Sequence, residues 1–125
     1  MFRGAMVTLP ATDIDRARKF YQEVLGFEVG EAGEDGSVRV QVGDSSIMVY
    51  PSEFAGSNRA TAVGIGVEDA TAAVAHLRDR GVQFEEYDFG EMKTIDGVLT
   101  MPNGDKGAWF KDTEGNIVGL FDGDM

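Results

Sequence analysis

The chain has 125 residues, no cysteine, and a formal charge of −11 from 22 acidic and 11 basic residues. That length suits one domain burying roughly two-thirds of its unfolded surface, and without sulfur donors there are no disulfides, thiolate nucleophiles or cysteine-built zinc sites. The acidic balance, with no basic stripe, argues against nucleic acid and anionic membranes as partners; with no membrane-length apolar run and no leader pattern at Met1–Gly4, a cytoplasmic setting is the expectation.

A short strand is predicted from Gly4 to Leu9. Thr12 and Asp13 supply helix-capping side chains, and Asp15 puts negative charge in the first turn. Ala17, Phe20, Tyr21, Val24 and Leu25 recur at helical spacing, and Gly26 fits the left-handed position beyond the helix end. Phe27-Glu28-Val29 starts a strand, and Glu34-Asp35-Gly36 is a turn. Val38-Arg39-Val40-Gln41-Val42 alternates as a half-buried strand should, and Gly43-Asp44 leads into a fourth strand from Ser46 to Tyr50. Pro51 to Arg59 reads as a linker.

The second half repeats the plan. A strand around Ala62–Val67 is followed by a helix from Ala70 to Arg80 and a strand from Val82 to Asp88. Phe89 to Asp96 reads as a loop, and Val98–Met101 as a short strand before the Pro102-Asn103-Gly104-Asp105 turn. Ala108–Lys111 and Ile117–Phe121 are the last strands, joined by Asp112-Thr113-Glu114-Gly115-Asn116, where Asp112 and Asn116 are turn residues. Asp13 and Asp69 hold equivalent places in the two copies. A period near 50 residues seen twice indicates duplication inside one domain: module one about 1–51, a linker about 52–60, and module two about 61–125.

Two stretches carry a family resemblance: Asp13-Ile14-Asp15-Arg16-Ala17 with Phe20-Tyr21-Gln22-Glu23-Val24-Leu25-Gly26-Phe27, and Trp109-Phe110-Lys111-Asp112-Thr113-Glu114-Gly115-Asn116-Ile117-Val118-Gly119-Leu120. With them the chain resembles the vicinal oxygen chelate superfamily, which includes glyoxalase I, extradiol dioxygenases, fosfomycin-resistance enzymes and bleomycin-resistance proteins. The resemblance implies an α+β fold of two βαβββ modules, whose curved mixed sheets enclose a cavity with helices on the convex side. It also implies a homodimer, because a half-cup and an edge strand invite a partner.

Metal-dependent members place His, Glu or Gln at four cavity positions. Here these fall on Met6, Met48, Ala62 and Gly119, two thioethers and two residues with no side-chain donor for a hard or borderline cation. No metal and no cofactor are therefore expected. The strand pattern agrees with that register. Val7 and Leu9, Ile47 and Val49, and Val63, Ile65 and Val67 form the aliphatic set beneath the helices, which turns Met6, Thr8, Met48 and Tyr50 to the other face. A floor of Ala62, Gly64, Gly66 and Gly119 is expected to be roomy, with Met6, Met48, Tyr50 and Trp109 as soft and aromatic walls; methionines that merely fill an interior gap are the competing reading. Arg39 and Gln41 face opposite the aliphatic side. That suits either a ligand carboxylate or phosphate or a plain exposed arginine.

Other candidates are weaker. His76, the only histidine, sits on the second helix and is expected at its surface. Glu85, Glu86, Asp88 and Glu91 cluster at a rim where solvation explains them, and Lys93 and Thr94 suit a loop contact. The expected function is metal-free sequestration of an aromatic or natural-product small molecule, of the bleomycin-resistance type, using Met6, Thr8, Arg39, Met48, Tyr50, Trp109 and Gly119. The alternative is a divergent glyoxalase-like lyase or isomerase holding a metal through Glu85, Glu91 and Asp96.

Overall fold

The computed structural model describes residues 1–124. The chain forms two compact units, one of residues 1–58 with the 112–116 turn, the other of Arg59–Lys111 with the segment from Ile117 onward. Of the expected linker, about 52–60, residues 52–58 fall in the first unit and 59–60 in the second.

In the first unit, β1 (Val7–Ala11) leads into α1 (Ile14–Lys19), a π-helical turn (Phe20–Val24), and then β2 (Glu28–Val29), β3 (Val38–Val42) and β4 (Ser45–Pro51). The sheet runs β1-β4-β3-β2, with β1 parallel to β4 and the other pairs antiparallel. Asp13 caps α1 by accepting the Arg16 N–H, as its position suggests. The single helix expected up to Leu25 instead loosens after Lys19. The Leu25 N–H bonds the Phe20 carbonyl at 3.0 Å, five residues back, which is the π pattern. Tyr21 is carried into the core by this turn, fully buried, with Phe20 edge-on to its ring. Leu9, Ala11, Ala17, Val38, Val40, Ile47 and Val49 complete that core. Val7, placed in the aliphatic set by its register, stays exposed at the start of β1.

In the second unit, β5 (Thr61–Gly66) is followed by α2 (Ala70–Asp79), β6 (Leu99–Thr100), β7 (Lys106–Lys111) and β8 (Ile117–Phe121). The sheet order, β5-β8-β7-β6, repeats that of the first unit, again with a parallel first pair. Two carboxylates hold the start of α2: Asp69 accepts the Ala72 N–H, and Asp122 accepts the N–H groups of Ala70 and Lys106. Those two backbone bonds keep the Asp122 carboxyl below its ordinary range. Ala70, Val74 and Leu77 of α2 are buried along with Val63, Ile65, Phe110, Val118 and Leu120.

The strand expected from Val82 to Asp88 does not form. The segment meets β7 only at the Phe84–Phe110 bridge and through the Glu85 N–H, which bonds the Trp109 carbonyl. Thr94 then closes residues 87–94 into a loop of their own: its hydroxyl accepts the Tyr87 N–H and its N–H bonds the Tyr87 carbonyl. Thr94 is therefore buried and structural rather than a contact at a loop tip. Among the described residues no helix is long and apolar enough to cross a membrane.

Candidate functional site

Alternation in the first sheet buries Leu9, Val38, Val40, Ile47 and Val49, so their neighbours face the other way. Register lines up Thr8, Met48 and Arg39 in one row across β1, β4 and β3. Tyr50 stands opposite Pro10 on the same face and is 37% exposed. Met6, just ahead of β1, is 50% exposed, so it is not interior filling. The Arg39 guanidinium donates to the Ser46 hydroxyl at 3.0 Å and, among the described residues, makes no ion pair. Four of the seven expected ligand residues, Thr8, Arg39, Met48 and Tyr50, thus share one mixed polar and apolar sheet face, with Met6 exposed just ahead of β1. At its β2–β3 edge lies a depression of about 530 Å³ lined by Glu28, Gly30, Arg39 and Gln41.

The other two, Trp109 and Gly119, face each other across β7 and β8 in the second unit. Their surroundings are packed. Trp109 is 9% exposed, its indole N–H donates to the Thr61 hydroxyl at 3.1 Å, and the rings of Tyr87 and Phe121 meet it edge-on. The roomy glycine floor is not found here. A Cβ at Gly119 would lie 2.7 Å from the Phe121 ring, and at Gly64 and Gly107 it would lie 3.1 and 3.0 Å from that ring. Phe121 fills the space the three glycines leave, and Trp109, Leu99 and Ile117 form a cluster beside it with Met92 and Met101. The signal was present in the sequence, since Phe121 lies two residues beyond Gly119 on the same strand and must share its face.

The residues at the four metal positions do not fit a divalent ion. Met6 and Met48 offer only thioethers, Ala62 offers no donor, and any side chain at Gly119 would run into Phe121. The substitute carboxylates are also not assembled. Glu85 lies 3.6 Å from Lys111, and among the described residues no three His, Asp or Glu side chains are grouped to hold an ion. His76 is exposed on α2, as expected.

The strongest polar constellation lies in the 112–116 turn, and the sequence reading missed half of it. The buried Glu114 carboxylate accepts the N–H groups of Thr12 and Asp13 at 3.0 Å, the Thr12 and Thr113 hydroxyls, and a two-point contact from Arg16 at 2.8 and 3.1 Å. Burial pushes its pKa up, but these bonds outweigh burial and hold it at about 2. Asp112 accepts the Tyr21 hydroxyl at 2.6 Å and the N–H groups of Glu114 and Asn116, while the Asn116 amide bonds the Pro10 carbonyl. Burial first, and the Asp112 charge second, raise the Tyr21 pKa well above its ordinary value. The carboxylate oxygens of Glu114 and Asp112 are taken up by the fold, so these two groups are scaffold rather than reactive machinery.

A family model described as the glyoxalase/bleomycin resistance protein/dioxygenase superfamily matches residues 4–120. The chain belongs to that superfamily. Among curated protein sequences none matches it. Solved structures agree on the fold. A glyoxalase family protein from Enterococcus faecalis superposes with a TM-score of 0.70 at 20% identity, covering 95% of this chain and 96% of the other. FosX, a fosfomycin resistance protein from Listeria monocytogenes solved with Mn(II) and a dihydroxypropylphosphonic acid, gives 0.70 at 15% identity, covering 100% and 94%. Lactoylglutathione lyase from Agrobacterium tumefaciens gives 0.66 at 19%, covering 97% and 94%. At these identities the likeness is one of fold, which superfamily members use for unrelated chemistries.

Proposed function

We propose that this superfamily member binds a small aromatic or natural-product molecule without a metal and acts by sequestration, as the bleomycin-resistance branch of its family name implies. The observation that carries the reading is the conjunction at the family's metal positions. The donors are replaced by Met6, Met48, Ala62 and Gly119, while Thr8, Arg39, Met48 and Tyr50 form an open face suited to stacking and soft apolar contact. Arg39, bonded to Ser46 among the described residues, has N–H groups left for a polar substituent. Ligand reaching Trp109 and Gly119 requires the Phe121 ring to swing aside. A homodimer of cytoplasmic protein is part of the proposal.

The test is a thermal-shift panel of bleomycin and planar aromatic natural products, paired with elemental analysis of protein purified without chelator. The expected result is metal-free protein whose melting temperature rises with one compound class, the rise being lost in Tyr50→Ala. Stoichiometric transition metal, or no shift with any compound, overturns it.

A further inference from the structure

A second concavity lies on the helix side of the second unit. It is a groove of about 550 Å³ between α2, the 91–98 segment and the β6–β7 edge. That volume is in the range of small-ligand sites. Val74 and Ala75 form one wall and Ile95 and Val98 the other, with Thr100 and Lys106 at the sheet edge. Ile95 is 68% exposed, an apolar side chain left in water beside an apolar recess.

The charges around this recess are unusual for the chain. Three of its 11 basic residues, Arg78, Lys93 and Lys106, line the groove, against two carboxylates, Glu91 and Asp96. Two more carboxylates stand just outside it: the Glu86 oxygen is 3.6 Å from where a Gly97 Cβ would lie, and the Lys106 charge acts on Asp122. Arg78 is held in place. Its Nη2 donates to the Asp96 carbonyl at 2.9 Å, and its guanidinium carbon sits 5.8 Å from the centre of the Phe84 ring. Gly97 makes room for it, since a Cβ there would lie 2.9 Å from Nη2. Asp96 turns the chain through a left-handed conformation, φ 52°, which aims its carbonyl at the arginine. One of the guanidinium's five N–H donors is used by that bond, leaving others for a ligand. Lys93 and Lys106 make no ion pair among the described residues.

We propose that this groove binds a small organic monoanion, a carboxylate or sulfonate carrying an apolar body. Lys93 and Arg78 take the acid group, and Val74, Ala75, Ile95 and Val98 cover the body. The lining selects the class: Arg78 and Lys93 suit one acid group beside apolar walls, whereas a polyphosphate would also meet Glu91 and Asp96. Long-range attraction cannot assist, because the chain's overall field repels anions, so recognition depends on these local contacts.

The test is fluorescence titration of 8-anilinonaphthalene sulfonate, itself an apolar monoanion, into the full chain. Saturable one-to-one enhancement is expected. It should weaken about tenfold in Lys93→Glu, as loss of a charge-assisted contact implies. It should disappear in Ala75→Trp, which fills the groove from an exposed helix position. Octanoate should displace the dye and octylammonium should not, with near-UV circular dichroism confirming that both variants keep the parent fold. Absence of saturable binding, equal affinity in both variants, or displacement by octylammonium overturns the proposal. Loss of the signal in Tyr50→Ala would assign the dye to the first sheet and overturn it as well.

Discussion

Replacing Glu114 by Gln tests the polar turn most directly. The carboxylate is buried and accepts from Thr12, Asp13, Thr113 and Arg16 at 2.8–3.1 Å. A glutamine keeps one acceptor oxygen and turns an NH₂ group toward donors, so at least one bond, that of the Arg16 Nε–H, or else the backbone N–H bonds, becomes donor against donor. The magnitude follows from titration. The folded pKa lies at about 2 against an ordinary 4.5, and at roughly 1.36 kcal/mol per unit this is about 3 kcal/mol of stability at neutral pH. With an unfolding entropy of about 2.1 cal/mol/K per residue, 3 kcal/mol lowers the melting temperature by roughly 10 °C. Because the folded pKa is depressed, the contribution is fully present above about pH 4.5 and is lost as pH falls toward 2. Urea unfolding of parent and Glu114→Gln at neutral pH and across that acid window checks both parts. The variant should be weaker by about 3 kcal/mol at pH 7, and the gap should close in acid. A loss under 1 kcal/mol at pH 7, or a gap that does not change with pH, refutes the reasoning.

Other outcomes follow from the same geometry. In a spectrophotometric titration of the three tyrosines, Tyr21 should ionise last, well above its ordinary pKa, and Tyr21→Phe should abolish that late step; three overlapping steps would contradict the buried bond to Asp112. Gly115 has φ 86°, and a Cβ there would stand 2.9 Å from the Gly56 Cα, so Gly115→Ala should destabilise by about 1–3 kcal/mol in urea unfolding. Gly43→Ala, with open space around its Cβ, should cost less in the same experiment. Phe121→Ala should uncover the single tryptophan, red-shift its emission and cost about 2 kcal/mol, since the phenyl ring is only partly buried; an unchanged spectrum would show that the ring does not shield Trp109.

Periodicity made most of the architecture legible. Val38-Arg39-Val40-Gln41-Val42 declared both its strand and its buried face, and Asp13 and Asp69 announced the two helix starts. What escaped has identifiable causes. Helical spacing alone does not distinguish α from π, so the loosening at Phe20–Val24 was invisible until the Leu25–Phe20 bond was seen. Residues 82–88 carry strand-like composition, yet Tyr87 bonds Thr94 rather than a neighbouring strand. Glu114 carried no local signal because its partners Thr12 and Arg16 are about 100 positions away. For the candidate site, the facing of Thr8, Arg39, Met48 and Tyr50 was readable from alternation. The loss of room above Gly119 was only half readable: alternation puts Phe121 on the same face, but not which way its ring folds over the sheet.

That ring ties two positions of β8 together. A side chain at 119 meets the Phe121 ring before it meets anything else, so what position 119 can carry depends on where that ring lies or on what replaces it. Substitutions at 119 and 121 should therefore not add: a larger residue at 119 costs less when 121 is small than when it is Phe.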